Sequence, residues 1–292
     1  MKPLRLLSLI LTWMLCAGVG ADSLLVVKPR ETELTRAFVD ALQDNYPKRD
    51  VQVALLERDP YPGDAALVVT MGLEALEWRL RQNAPTPTIA VYVTRDQMAE
   101  QDLLSHIQVL LASPRPERQL LLAQLLFPRL QDVGMLYSPS QRRQLEDWQR
   151  AARQAGLTLH PGEVTQPLAL LRTLSDLLDR SDVLLGMDDP EIYNASTLKP
   201  LLLASYSRNR VLIGPSAPFI AAGSLSTTYS TPRDMADSVY LVQQMQWQPG
   251  AVRYPQRFSV LSNAQVARSL GLAMPEDEQL QQTIQTREGN AP

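Results

Sequence analysis

Short apolar runs alternate with helix-patterned stretches along almost the whole chain, and few folds tolerate that rhythm. SLLVVKP (Ser23 to Pro29), VQVALLE (Val51 to Glu57), DAALVVTMG ending near Thr70, TPTIAVYVT (Thr86 to Thr94) and, within HIQVLLAS, Ile107 to Ala112 read as strands. ELTRAFVDALQDNY and LEALEWRLRQ between them carry helical spacing. Near-continuous Val, Ile and Leu runs mark strands covered on both faces, and strands separated by helices mark βαβ units.

A second series follows. DVGMLYSPS, TLHPGEV, SDVLLGMDD, RVLIGPS and SLSTTYS alternate with the helical patterns RQLLLAQLLFPRL, QRRQLEDWQRAARQAG, PLALLRTLSDLLDR, STLKPLLLASYSRN and APFIAAG. TLHPGEV has the composition of an edge strand, and Pro200 is expected to interrupt or kink its helix. Ten strands exceed one comfortable doubly wound sheet, so the expectation is an α/β chain of two lobes, each a doubly wound parallel sheet, with a cleft between them. The expected division is residues 22–113, 114–230 and 231–292, the last segment completing both lobes. It begins TPRDMADSVYLVQQM, with Thr231 as N-cap and Pro232 in the first turn, adds one strand and helix, and ends in EDEQLQQTIQTREGNAP, read as a polar, frayed tail.

The first 21 residues read differently. Lys2 and Arg5 precede the apolar run Leu6 to Cys16, and Val19-Gly20-Ala21 is a small-residue cleavage signal, the pattern of an export leader cut before Asp22. An uncleaved anchor and lipidation at Cys16 are the alternatives. Cleavage removes the single cysteine and two of the 28 basic residues, leaving 26 against 31 acidic, a formal charge of −5. That balance argues against nucleic acid as a partner; the export leader points to a periplasmic protein, expected to be a monomer. The two histidines, His106 and His160, show no metal-ligand spacing, and no GxSxG or P-loop occurs. No catalytic site, metal or cofactor is therefore expected.

In open α/β sheets, ligands sit outside the carboxyl ends of the strands. Those ends supply the candidates. Asp188, Asp189 and Tyr193 follow the strand DVLLG; the aspartates could receive a cation or hydroxyl, or merely satisfy turn amides. Ser216 could cap a helix or meet a ligand oxygen. Tyr137 and Ser138 end the first strand of the second series. In the first series the candidates are Thr70 and Gly72 after strand three, Arg30 after strand one, and Thr94 after strand four, beside Tyr92 and Arg95.

DVLLGMDDPEIYNASTLKPLLLASYSRNRVLIGPSAPFIAAGSLST (Asp182 to Thr227) resembles the second lobe of substrate-binding proteins of the tryptophan/tyrosine-type ABC transporter family. RQLLLAQLLFPRLQDVGMLYSPS and RFSVLSNAQVARSLGLAMP, with Asn263, Ala267, Leu270-Gly271 and Pro275, agree with it. The similarity is strong over Arg118–Gly223 and Phe258–Pro275 and weak before Ser113. It implies a type I periplasmic-binding-protein fold, a small organic solute, amino-acid-like, held between the lobes, and an ABC permease or other envelope membrane protein as partner. The first lobe departs from the pattern. After the third strand the family has Gly-Thr followed by small residues, whereas VVTMGLEAL has Leu73 and Glu74 after its glycine, and YVTRDQMAEQ replaces a Val-Thr-Asp-Pro-like turn. That bulkier, more charged rim supports a second reading, a ligand-insensitive accessory protein that keeps the fold and contacts a membrane complex.

Overall fold

The computed structural model describes residues 23–289. The leader, its cleavage site and Cys16 lie outside the described residues. In chain order the elements are β1 (Ser23–Lys28), α1 (Glu33–Asn45), β2 (Asp50–Leu55), β3 (Leu67–Met71), α2 (Gly72–Leu80), β4 (Thr88–Val93), β5 (Ile107–Leu111), α3 (Pro116–Leu126), β6 (Asp132–Tyr137), α4 (Arg142–Gln154) and β7 (Thr158–Glu163). There follow α5 (Leu170–Leu178), β8 (Val183–Leu185), α6 (Leu198–Tyr206), β9 (Leu212–Ile213), α7 (Ala217–Ala222), β10 (Ser226–Tyr229), α8 (Pro232–Gln244), β11 (Val252–Arg253), β12 (Ser259–Ser262), α9 (Ala264–Ser269) and α10 (Asp277–Gly289).

They build two lobes, each around a six-stranded sheet, with strand orders β11-β5-β4-β3-β1-β2 and β12-β10-β9-β8-β6-β7. All neighbours are parallel except β10 and β12. Parallel pairing demands helical crossovers that cover both faces, which is why every residue of β3 and β5 is buried. The outermost strands differ. β2 is largely exposed, and β7 carries Pro161, which has no N–H to offer a neighbour.

The chain passes between the lobes three times: from β5 into α3, from β10 into α8, and from β11 into β12. Each passage is anchored. Gln119 of α3 is fully buried; it donates to the Gly214 carbonyl and the Thr227 hydroxyl and accepts from the Thr228 N–H. Thr231 caps the start of α8, as the sequence predicts, and Asp234 returns the bond to close a reciprocal capping box. That helix lies on α1, where Tyr46 donates to Gln243 at 2.7 Å and Asn45 to Asp237 at 2.8 Å.

Two expectations are corrected. The polar tail is a helix, α10, that docks Leu280 and Ile284 into the second lobe's core. Glu288 near its end accepts the Arg118 Nε–H at 2.8 Å. Arg118 is buried, stacks 4.2 Å from the Phe258 ring centre and donates to the Pro255 carbonyl. Pro200 neither kinks nor interrupts α6. It sits in the first turn, where its missing N–H would have no helical partner. No described helix is long and apolar enough to cross a membrane.

Candidate functional site

The carboxyl ends of the two sheets meet where β8, β5, β4 and the start of α4 converge. Asp188, three residues beyond β8, is hydrogen-bonded to the Ser113 hydroxyl of the first crossover. That hydroxyl also accepts the Arg95 N–H at 2.9 Å. Arg95 then reaches across to Asp147 of α4, Nη2 to Oδ2 at 3.2 Å, and Asp147 is held from its own helix by Arg150 at 3.1 Å. Beside it Gln141, 2% exposed, donates to Asp96 at 2.6 Å and accepts from Gln144. Tyr254, on the third crossover, stands among Arg95, Asp147 and Asp188, with its phenol pushed up by burial to about 12. A cavity of about 500 Å³ opens beside this seam, walled by Asp96, Met98 and Asp102 on one side and Gln141, Arg143 and Asp147 on the other. That size suits a small organic molecule.

Asp188 is the electrostatically exposed member of the seam. Burial raises its pKa to about 6; the Ser113 hydrogen bond opposes the rise and the nearby Asp96 charge adds to it. Among the described residues no cationic side chain lies within ion-pairing distance of it.

Its neighbours in sequence go elsewhere. Asp189 is 2% exposed, and its carboxylate accepts the Ser138 N–H at 2.7 Å and the Glu191 N–H at 3.1 Å. It ties the loops after β6 and β8 together, the local role that turn chemistry offers an aspartate. Tyr193 is corrected from a cleft residue to a core residue. The chain folds back at Asp189, so the ring is 5% exposed, edge-on to Phe219, with its hydroxyl directed at the Leu185 carbonyl. Ser138 is fully buried and shares a hydrogen bond with Ser140. Tyr137 is half-buried against the second lobe's core. Ser216 precedes α7 without capping it.

In the first lobe Arg30 and Glu74 face each other, exposed, at 3.9 Å. Gly72 begins α2 at φ +80°, a conformation that suits glycine, with open space where a Cβ would stand. Thr70 is fully buried. Thr94 closes a turn with Gln97 through reciprocal hydrogen bonds. Asp188 and Arg95 are thus brought together, whereas Asp189, Tyr193, Ser138 and Thr94 are engaged internally. Asp96, Gln141, Asp147 and Tyr254 were not singled out by the sequence. Charged and amide residues in a loop or on a polar helix look like solvated surface until the opposite lobe is in place. Among the described residues no group of three or more His, Cys, Asp and Glu is placed to hold a metal ion.

Solved structures match over nearly the whole chain. One, an ABC domain in complex with L-Trp from Streptococcus pneumonia, is 16% identical with a TM-score of 0.54, covering 90% of this chain and 98% of that one. A ligand-free, open substrate-binding protein with adhesive properties from Clostridium difficile reaches a TM-score of 0.68 at 14% identity, covering 88% and 97%. The chain has the type I periplasmic-binding-protein fold. A conserved domain protein from Vibrio cholerae shares this binding-protein fold at 14% identity and a TM-score of 0.54, covering 89% and 97%. No family model matches the chain, and no curated protein matches it significantly in sequence. At these identities the likeness carries the fold, and the chemistry has to come from the seam.

Proposed function

We propose that this protein is a solute-binding component of an uptake system outside the cytoplasm, and that it captures a small amine-bearing organic solute, amino-acid-like, at the seam between its lobes. The observation that carries this reading is Asp188: a carboxylate at the carboxyl end of a strand, penalised by burial, with a hydroxyl as its donor and no cation within reach among the described residues. A ligand ammonium would offset that penalty, and the 500 Å³ cavity beyond Arg95 and Asp96, which line it where Asp188 does not, has room for the rest of the molecule. Arg30 and the open face at Gly72 are the first-lobe groups proposed to meet the solute's acidic end, and Ser216 and Tyr137 complete the second-lobe rim. Two lobes joined by three crossovers can close over a solute by hinge motion, presenting a changed surface to an ABC permease or other envelope membrane protein. The resemblance to the tryptophan/tyrosine-type family, and the L-Trp complex among the structural neighbours, support an amino-acid-like solute.

The test is titration calorimetry of natively purified protein against the common L-amino acids and their decarboxylated amines. The expected result is saturable binding of at least one, weakened about tenfold or more in Asp188→Asn, as loss of a hydrogen-bonded charge of about 1.5–3 kcal/mol requires. Absence of binding across both sets would favour the accessory reading, for which the lobe-to-lobe bonds already made by Arg95, Asp147, Asp96 and Gln141 are the supporting observation.

A further inference from the structure

The opposite end of the first lobe carries a second constructed surface. The segments entering β3 and β4 line an open depression of about 770 Å³, and another of about 280 Å³ adjoins it; Tyr61 and Ala65 line both. Tyr61 is 68% exposed, the largest aromatic exposure among the described hydrophobic side chains. Its ring lies over Gly63 so closely that a Cβ there would fall 2.4 Å from ring carbon Cε1. One side of the ring is therefore backed by backbone, and the ring still keeps most of its surface open to solvent.

The surroundings of this ring are held still by costly means. Tyr61 stands between Pro60 and Pro62, which fix the backbone on either side. Asp59, just before them, sits at φ +43°, a strained conformation for a residue with a Cβ, and is fixed by the Trp78 indole N–H at 2.7 Å. Thr86 ties the facing loop to the Pro62 carbonyl at 3.0 Å. Behind that loop Arg79 is fully buried, donating to the Ala84 carbonyl at 2.7 Å, the Thr86 carbonyl at 2.9 Å and the Thr88 hydroxyl at 2.8 Å. Among the described residues no carboxylate pairs with it, and burial lowers its pKa. A buried guanidinium without a counter-charge is an expensive way to brace a loop; here it ties α2 to β4 through Thr88 and also fixes one wall of this depression. On that wall Arg81 and Asn83 are exposed, with no ion pair or side-chain hydrogen bond of their own among the described residues.

We propose that this surface binds a neutral saccharide, independently of the interlobe seam. An open aromatic face receives the apolar C–H face of a pyranose ring. Planar amide and guanidinium groups at its side pair with vicinal hydroxyls, which both donate and accept. The prefixed loops remove the ordering cost that weakens shallow sites. A phosphate would want more than one cation, and a polyproline ligand would want an aromatic-lined groove rather than one ring.

Saturation-transfer NMR on the full chain, with tri-N-acetylchitotriose, maltotriose and decaproline as probes, tests this. The expected result is transfer to the ring protons of at least one trisaccharide, with affinity reduced about tenfold or more in Tyr61→Ala. Gly63→Ala, which displaces the ring while leaving it in place chemically, should do the same. Both variants should melt within a few degrees of wild type, and Asp188→Asn should bind saccharide unchanged. Transfer to neither sugar, transfer undiminished in Gly63→Ala or Tyr61→Ala, or transfer to decaproline alone would each overturn the proposal.

Discussion

Replacing Asp188 by asparagine should make the protein more stable and less able to bind. The carboxylate titrates near 3.8 in an unfolded chain and near 6 in the folded one, because burial disfavours its charged form. At about 1.4 kcal/mol for each tenfold change in an ionisation constant, the difference amounts to about 3 kcal/mol. That is an upper figure, since the side chain is partly exposed and solvent screens it. The folded state holds this proton between pH 3.8 and 6 while the unfolded state has released it. Stability is therefore lost as pH rises through that window, and the full penalty is present above about pH 6. The neutral amide of the variant carries no such penalty and can still accept from Ser113. Urea unfolding of wild type and Asp188→Asn at intervals from about pH 4 to 8 reads the prediction directly. The two should coincide near pH 4 and diverge by up to about 3 kcal/mol above about pH 7, the variant being the more stable. A variant equal to or less stable than wild type at about pH 7.5, or a difference that does not change with pH, would refute the argument that burial burdens this carboxylate.

Gly134 in β6 leaves no room for a methyl group. A Cβ would stand 2.6 Å from Ser181 Oγ and 2.8 Å from Leu177 Cγ, so Gly134→Ala should cost about 1–3 kcal/mol by overpacking, measurable by thermal or urea unfolding. Glu288→Gln should cost about 1.5–3 kcal/mol through the charge-assisted bond to Arg118, and limited proteolysis should then cut within α10 ahead of the rest of the chain.

The legibility of the fold in the sequence follows from what each element relies on. β1, β3, β4 and β5 are buried on both faces, so their apolar runs stand out without any knowledge of partners. The start of α8 is written locally, in Thr231, Pro232 and Asp234. α10 is invisible for the opposite reason. It buries only Leu280 and Ile284, and its ion pair reaches back to Arg118, some 170 positions earlier in the chain. β11 has two residues and exists only because Val109 and Leu110 offer it a register. At the site, proximity to a strand's carboxyl end singled out Asp188, which lies three residues beyond β8 and is hydrogen-bonded to Ser113. It misplaced Tyr193, because the reversal at Asp189 depends on the Ser138 N–H of a loop 51 residues away. The Arg95–Asp147 and Asp96–Gln141 contacts join residues 52 and 45 positions apart, and no local spacing encodes them.

The triple passage of the chain between lobes also dictates an order of events during biosynthesis. The face of the first sheet formed by Leu24, Val26, Val69 and Val91, together with Phe38 and Leu42 of α1, is covered by Met235, Ala236, Val239 and Val242 of α8. Those residues emerge only after every strand of the second lobe through β10 has been made. An N-terminal lobe growing from the ribosome, or threading across a membrane, must therefore wait with a broad apolar surface uncovered while most of the second lobe follows. Contacts so distant along the chain close slowly, and an unfinished apolar face invites aggregation in the interval. Fragments ending near residue 113 or 230 inherit that condition permanently, so a holdase chaperone should retain them where it releases the full chain.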